Sequence, residues 1–208
     1  MGQDKLFNKR KADLGRKVGT RRLRRILIVC EGEKTEPNYF KAFPDNPEVY
    51  DSLEVEGTGY NTLSLVREAI RLRDEAVRNG QPYIETWCVF DKDSFSDESF
   101  FSAIEKARAQ NIRCAYSIEA FEIWYLLHFQ YCDSQLNRSQ YGGKLTELLG
   151  RKYRKNDASM YELLLSRQKT AIKHARRLYD EKARLPCREQ NPVTLVFRLV
   201  ERLNGERA

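Results

Sequence analysis

Residues 26–36 have the sequence ILIVCEGEKTE, in which an apolar run leads directly into an acidic cluster. Residues 87–93, WCVFDKD, show the same order of apolar and then acidic residues. Short apolar runs rich in β-branched and aromatic residues are typical of strands buried on both faces of a parallel sheet. Since the carboxyl ends of parallel strands meet at one edge of the sheet, we expect the two acidic clusters to lie side by side and to form a site for a divalent cation.

Two further apolar runs of strand length occupy residues 52–56 and 112–118. Helical patterns separate the runs. Apolar residues recur with helical spacing over residues 63–77, and a second such pattern over residues 97–109 follows a capping residue at Ser96. Strands that alternate with helices predict an α/β fold, with a small parallel sheet flanked by helices on both faces.

The strand signals end near residue 131, and the later apolar patterns are helical. The predicted helical segments in this part are residues 145–149, 161–165, 171–179 and 193–203. We therefore divide the chain into a basic N-terminal arm (1–25), an α/β core (26–130) and a C-terminal helical extension (131–208).

The chain has 208 residues and a formal net charge of +7, and its positive charge is concentrated in clusters. The N-terminal arm holds ten Lys and Arg residues against two Asp, and further basic clusters lie at 151–155 and 173–177. Such clusters attract polyanions, so we expect a nucleic acid partner; the alternative for the arm is a solvated tail that only keeps the chain soluble. The candidate nucleic-acid-binding residues are Lys34, Arg24, Arg25, Lys155, Lys173 and Arg176.

The sequence argues against a disulfide-stabilised protein, a membrane protein and a zinc protein. Five cysteines without a Cys-x-x-Cys pair argue against a disulfide framework and predict a reducing, cytoplasmic setting. The sequence contains neither a signal-peptide pattern nor a long uncharged apolar run, so we expect no membrane association. With His128 and His174 as the only histidines, a zinc site is not expected.

The acidic residues at the two strand ends are the candidate catalytic and metal-binding groups. Asp91 and Asp93 are two positions apart, so on an extended strand both side chains lie on one face while Lys92 points away. Glu31 follows the first strand directly and is the main candidate for a general base or metal ligand. Gly32 allows a sharp turn and a close approach of a phosphate or a metal to the backbone.

Several neighbouring residues have two interpretations each. Glu36 falls in the first turn of a helix, where its carboxylate either binds a metal or complements the helix dipole. Lys34 either contacts a phosphate or is simply exposed. We expect Trp124 to pack in the core, and His128 on the same helix face is either a packing residue or a proton donor. Glu122 lies off that face and nearer the predicted metal.

Three stretches carry a resemblance to a known family: residues 26–40, ILIVCEGEKTEPNYF; residues 89–93, VFDKD; and residues 117–129, SIEAFEIWYLLHF. Together they resemble the RloB family, which is related to the Toprim nucleases and is encoded in restriction or abortive-infection loci. An RloA-type ATPase is a frequent companion of that family. The resemblance extends from about residue 25 to the Asn-Pro-x-Thr of residues 191–194.

The resemblance implies a Toprim-like three-layer fold. It also implies that Glu31, Asp91 and Asp93 are catalytic carboxylates that bind Mg²⁺ or Mn²⁺. The positions that it suggests for a second metal ion are Glu36, followed by Ser117, Glu119 or Glu122.

The expected function is that of a metal-dependent nuclease, an effector of bacterial antiphage defence that is controlled by a partner ATPase of the AAA or ABC type. Its substrate is DNA or RNA, with tRNA among the candidates. One alternative is a non-catalytic subunit that binds nucleic acid or the ATPase. Another is a phosphatase of the haloacid dehalogenase type with Asp91 as nucleophile, although Phe95 stands where that class has Thr or Val.

Overall fold

Four parallel strands form a sheet in the computed structural model, which describes residues 22–92, 96–186 and 189–206. The strands are β1 (Arg25–Cys30), β2 (Ser52–Gly57), β3 (Tyr83–Lys92) and β4 (Arg113–Ile118). Their spatial order is β2-β1-β3-β4, and each neighbouring pair is parallel. The predicted small parallel sheet is confirmed, and the two strands that precede the acidic clusters, β1 and β3, are neighbours.

Helices connect the strands and make up most of the C-terminal part. Those of the first part are α1 (Thr35–Lys41), α2 (Thr62–Arg78), α3 (Asp97–Ala109) and α4 (Glu122–Leu127). Those that follow are α5 (Arg138–Leu149), α6 (Met160–Leu164), a 3₁₀ turn (Leu165–Arg167), α7 (Gln168–Lys182) and α8 (Val196–Asn204). The Ser96 hydroxyl accepts the Ser99 N–H (3.2 Å) and caps α3 as predicted. None of the described helices is long and apolar enough to cross a membrane.

Helices cover both faces of the sheet. β1 is apolar at every position from Ile26 to Cys30, so its side chains on both faces must be buried. Leu27 and Val29 face α2 and α3, whereas Ile26, Ile28 and Cys30 face α1, α4 and the C-terminal helices. All five side chains are fully buried. The molecule is therefore a three-layer α/β structure, as predicted.

The last predicted helix, expected from residue 193, starts three residues later. Residues 193–195 instead run along the outer edge of β4. The Ile118 N–H donates to the Val193 carbonyl (2.7 Å), and the Leu195 N–H donates to the Tyr116 carbonyl (2.8 Å). Since β4 is an edge strand, its outward backbone groups need partners, and this requirement outweighs the helical pattern of the sequence.

Candidate functional site

Glu31 and Asp91 lie side by side at the carboxyl edge of the sheet. Pairing of β1 with β3 places Cys30 opposite Val89, and the Glu31 N–H continues this pairing by donating to the Val89 carbonyl (2.8 Å). The Glu31 carboxylate then accepts the Asp91 N–H at 3.1 Å. The structure thus brings these two predicted site residues together, whereas Asp93 lies outside the described residues.

Glu36 and Glu122 reach the same place from helices. Both side chains are buried, Glu36 in the first turn of α1 and Glu122 at the start of α4. A β-carbon added at Gly32 would lie 2.8 Å from the Glu36 Cδ atom and nearer still to its Oε2 atom, so the absence of a side chain at Gly32 makes room for this carboxylate. The Tyr153 hydroxyl donates to Glu122 Oε1 (3.2 Å) and orients it.

These four carboxylates line one open cleft of about 420 Å³, which we call the carboxylate cleft. The residues that line it are Glu31 to Glu36, Asp91, Phe121, Glu122, Arg138, Lys155 and Asn156. The cleft lies where the strands end, which is the common ligand position in open parallel sheets.

Burial raises the pKa of the Asp91 carboxyl well above its ordinary value, and the charge of Glu36 raises it further. Arg138 opposes this shift, whereas Glu122 and Glu31 add to it. The pKa of Glu36 is also raised, first by burial and then by the charge of Glu122. A cation in the cleft would relieve this repulsion and favour the ionised carboxylates.

Arg138, at the start of α5, is a site residue that the sequence analysis missed. Its Nη2 atom forms an ion pair with Asp91 Oδ2 at 2.8 Å. The same guanidinium donates to the Glu119 carbonyl (3.3 Å), and the Arg138 N–H donates to Glu119 Oε1 (3.1 Å). These two hydrogen bonds fix Glu119 and Arg138 relative to each other at the edge of the cleft. The guanidinium group of Arg138 thereby places a positive charge against Asp91.

The structure gives different surroundings to Ser117, Glu119 and Glu122, the three residues suggested as ligands of a second metal ion. Glu122 lines the carboxylate cleft. Ser117 is buried and hydrogen-bonds to the Thr194 hydroxyl (2.9 Å), and Glu119 is engaged with the backbone of Arg138. Glu122 is therefore the one of the three that is placed to face a ligand in the cleft.

The donor set fits Mg²⁺ or Mn²⁺ in its chemistry. Over the described residues, no group of three or more His, Cys, Asp or Glu side chains is arranged to hold a metal ion. Mg²⁺ retains several waters and is commonly held by one or two carboxylates together with substrate phosphates. Glu31 and Asp91 have the chemistry of such a pair, and Arg138 contacts Asp91 Oδ2 in this structure. The candidate donor atoms are carboxylate oxygens, which suit these hard cations.

Two of the predicted nucleic-acid-binding residues, Lys34 and Lys155, lie at the carboxylate cleft, and both are exposed. Lys155 is positioned by its neighbour Asn156, whose side chain accepts the Thr35 hydroxyl (2.7 Å) and whose carbonyl accepts the Asn38 amide (2.9 Å). These bonds attach the Lys155 loop to α1 beside the acidic cluster.

The other predicted basic residues lie elsewhere. Arg24 and Arg25 are at the amino end of β1, opposite the cleft, where Arg24 pairs with Asp51 (3.4 Å) and Arg25 pairs with Glu54 (2.6 Å). Both therefore have structural partners. The remaining two residues, Lys173 and Arg176, lie on the exposed side of α7, and Arg176 forms an ion pair with Glu201.

His128 and Trp124 belong to the core. Trp124 is fully buried and its ring contacts the His128 ring edge-on, with 4.8 Å between centroids. The His128 Nδ1 atom hydrogen-bonds to the Trp124 carbonyl (2.8 Å). Burial lowers the pKa of His128 to about 4, so the imidazole is neutral at pH 7. The packing interpretation of both residues is confirmed.

Comparison with protein families gives a match over most of the chain. The family model described as "RloB-like protein" matches residues 26–203, which is most of the chain. No curated protein and no solved structure shows a significant match. The matched range extends from β1 into α8 and so includes the sheet, the carboxylate cleft and the C-terminal helices.

Proposed function

The chain belongs to the RloB-like family, and from this membership and the carboxylate cleft we propose that it is a metal-dependent nuclease that cleaves phosphodiester bonds. The observation that carries the proposal is the approach of Glu31 to Asp91 at two neighbouring strand ends. Glu36 and Glu122 add negative charge to the same open cleft. The pKa values of Asp91 and Glu36 are raised, and carboxyl groups with raised pKa values in a cleft are a common feature of active sites.

Glu31 and Asp91 would hold the metal ion. Glu36 and Glu122 line the same cleft and would become ligands only by moving closer to the ion, because no three such side chains among the described residues are arranged as a metal site; Asp93 is a further predicted ligand. Bound there, Mg²⁺ or Mn²⁺ would polarise the scissile phosphate and stabilise the leaving oxygen. Glu31 is oriented by the Asp91 N–H, so it is fixed in place to accept a proton from an attacking water.

Three cations at the cleft complement the phosphate. Lys34 and Lys155 are exposed on its walls, and Arg138 contacts Asp91. Guanidinium and ammonium groups neutralise the charge that a phosphoryl group gains in the transition state. A nucleic acid strand in the cleft would therefore meet carboxylates at its centre and basic groups on the rim.

The biological setting is proposed from the family resemblance alone. We propose that the chain acts as an effector in bacterial antiphage defence, under the control of an RloA-like ATPase. The substrate is a nucleic acid, DNA or RNA. Control by an ATPase predicts that the isolated chain is less active than the complex.

The experiment that tests the proposal is a cleavage assay on end-labelled single-stranded RNA, tRNA and duplex DNA. The chain is assayed with Mn²⁺ or Mg²⁺ and with a chelator, alone and with the ATPase and ATP. Asp91→Asn should abolish metal-dependent cleavage at an unchanged melting temperature. Asp74→Asn, which alters an exposed carboxylate on α2, is the matched control and should cleave normally. Undiminished cleavage by Asp91→Asn would exclude this site.

The ion pair between Arg138 and Asp91 favours a second candidate, a non-catalytic subunit that binds nucleic acid or the ATPase. An arginine that neutralises Asp91 takes up one oxygen that a metal would use. This candidate predicts tight binding of nucleic acid without cleavage, even when the ATPase and ATP are present. Trapping of a covalent phosphate on Asp91 would instead indicate a phosphatase.

A further inference from the structure

A second large concave surface lies along the edge strand β4. It is a groove of about 720 Å³, larger than the carboxylate cleft, and we call it the β4 groove. Residues Arg113, Cys114 and Tyr116 of β4 form its floor, α3 forms one wall, and α7 and α8 form the other. The groove therefore opens between the two helical layers that cover the sheet.

The β4 groove is strongly basic. Its charged lining residues are Arg108, Arg113, Arg176, Arg198 and Glu201. Four arginines against one carboxylate give the lining side chains a net charge of +3. The single lining carboxylate, Glu201, is buried beneath the surface and pairs with Arg176. Arg113 also lies 3.7 Å from Glu85, a carboxylate outside the lining that pairs more closely with Arg202, so the surface that a ligand meets stays positive.

Aromatic rings hold three of these guanidinium groups in place. Arg113 lies over the Trp87 ring (5.3 Å from the centroid), and Arg198 lies over the Tyr179 ring (4.4 Å). Arg176 lies over a third ring, that of Phe197. An arginine stacked in this way is pre-organised, so less side-chain entropy is lost when it binds a phosphate.

Stacked arginines suit a nucleic acid in two ways. Their N–H groups form paired hydrogen bonds with phosphate oxygens, and the outer face of a guanidinium plane accepts an unstacked base. Trp87 and Phe197 are buried, so they support the arginines rather than contact a base themselves. An acidic peptide would satisfy the charge but would leave the stacking surfaces unused, and a duplex would keep its bases stacked inside.

We propose that the β4 groove binds single-stranded nucleic acid and holds a substrate strand outside the carboxylate cleft. The identification of the strand as substrate rests on the proposed nuclease function, whereas the binding itself does not. Binding sites of this type combine a basic groove with stacking platforms and show strong salt dependence.

The test is fluorescence anisotropy with a labelled single strand of RNA or DNA of about 12 nucleotides, a length within the usual range of single-strand sites. A chelator is present, so that cleavage cannot occur. Arg108→Ala combined with Arg113→Ala should weaken binding at least about tenfold and reduce the slope of log affinity against log salt by about 1.4, since each phosphate contact contributes about 0.7. Thermal melting checks that the variant is folded.

Two further variants test whether binding depends on the place of the arginines and on their guanidinium groups, or only on their positive charge. Arg71→Ala with Arg78→Ala removes two exposed arginines from α2 and should bind within about twofold of the wild type, because the charges lie outside the groove. Arg113→Lys keeps the charge but loses the planar guanidinium that lies over the Trp87 ring, so the salt slope should persist while affinity falls.

Several outcomes would overturn the proposal. Equal loss of binding in the α2 variant would indicate non-specific attraction, and unchanged binding in the groove variant would exclude the site. Competition by poly-glutamate as strong as that by an oligonucleotide of equal charge would assign the groove to an acidic peptide, and equal affinity for a duplex would exclude single-strand recognition. If Asp91→Asn still cleaves in the presence of Mn²⁺, the nuclease proposal fails while the groove assignment stands, because the anisotropy measurement requires no cleavage.

Discussion

The Asp91 N–H donates to the Glu31 carboxylate at 3.1 Å, although the two residues are 60 positions apart. The bond joins the ends of β1 and β3 and fixes one carboxylate relative to the backbone that carries the other. Burial and mutual repulsion raise the pKa of Asp91. The cleft therefore gathers carboxylates whose mutual repulsion Arg138 relieves only in part, an arrangement expected of a functional site rather than of a structural one.

Glu31→Gln should strongly reduce metal-dependent cleavage and leave the fold intact. The glutamine carbonyl can still accept the Asp91 N–H, so the strand ends keep their arrangement while the negative charge is lost. We expect cleavage to fall by about a hundredfold or more, as for loss of a general base, and Mn²⁺ binding by titration calorimetry to weaken. Glu75→Gln, on the exposed side of α2, is the control and should change neither measurement. Normal Mn²⁺ affinity in Glu31→Gln would argue against Glu31 as a ligand.

Gly32→Ala should impair the site through Glu36. The new β-carbon would collide with the Glu36 carboxylate, which must then move away from the cleft. We expect weaker Mn²⁺ binding and slower cleavage. Gly143→Ala is the matched control: this glycine lies inside α5 with open space around it, so the same change should preserve activity and stabilise the fold by about 0.5–1 kcal/mol. Identical effects of the two substitutions would show that Glu36 has no special role.

The sheet and the meeting of Glu31 with Asp91 could be predicted from the sequence, because both follow from local patterns. Apolar runs specify buried strands, and parallel strands necessarily end at one edge. Placement of Arg138 could not be predicted in this way. It lies 47 positions from Asp91 on a helix whose docking depends on tertiary packing, and its sequence neighbours do not distinguish it from other basic residues.

Contacts between residues distant in sequence also explain why Arg24, Arg25 and residues 193–195 differ from the predictions. Arg24 and Arg25 belong to a strongly basic segment, so their charge suggested a ligand, yet each has an acidic partner brought from β2 or the segment before it. Residues 193–195 have a helical pattern, but the unpaired edge of β4 binds their backbone. In both cases a partner distant in sequence decides the role of the residue.

His128 should make the folded state sensitive to acid. The pKa of His128 is lowered to about 4 by burial, whereas the pKa of a histidine in the unfolded chain is about 6.5. Below that value the unfolded state binds the proton more readily, so stability falls as pH decreases towards about 4. At about pH 5 the loss is about 2 kcal/mol. Urea unfolding of the wild type and of His128→Gln at neutral and acidic pH measures this loss of unfolding free energy. The variant should lose less stability on acidification. Parallel pH profiles for the two proteins would contradict the lowered pKa of His128.

Arg138→Ala should affect metal and substrate in opposite directions. Its guanidinium lies 2.8 Å from the Asp91 carboxylate and competes there with a metal ion, so its removal should tighten Mn²⁺ binding by about tenfold, or about 1.4 kcal/mol, above neutral pH. The same change removes a cation from the phosphate, so KM should rise. Arg138→Lys keeps the positive charge, so its KM should be closer to that of the wild type than the KM of Arg138→Ala. The lysine does not reproduce the geometry of the ion pair with Asp91. A residue with a purely structural role would lower the melting temperature and weaken metal and substrate binding together, and that result would exclude a place for Arg138 in the site.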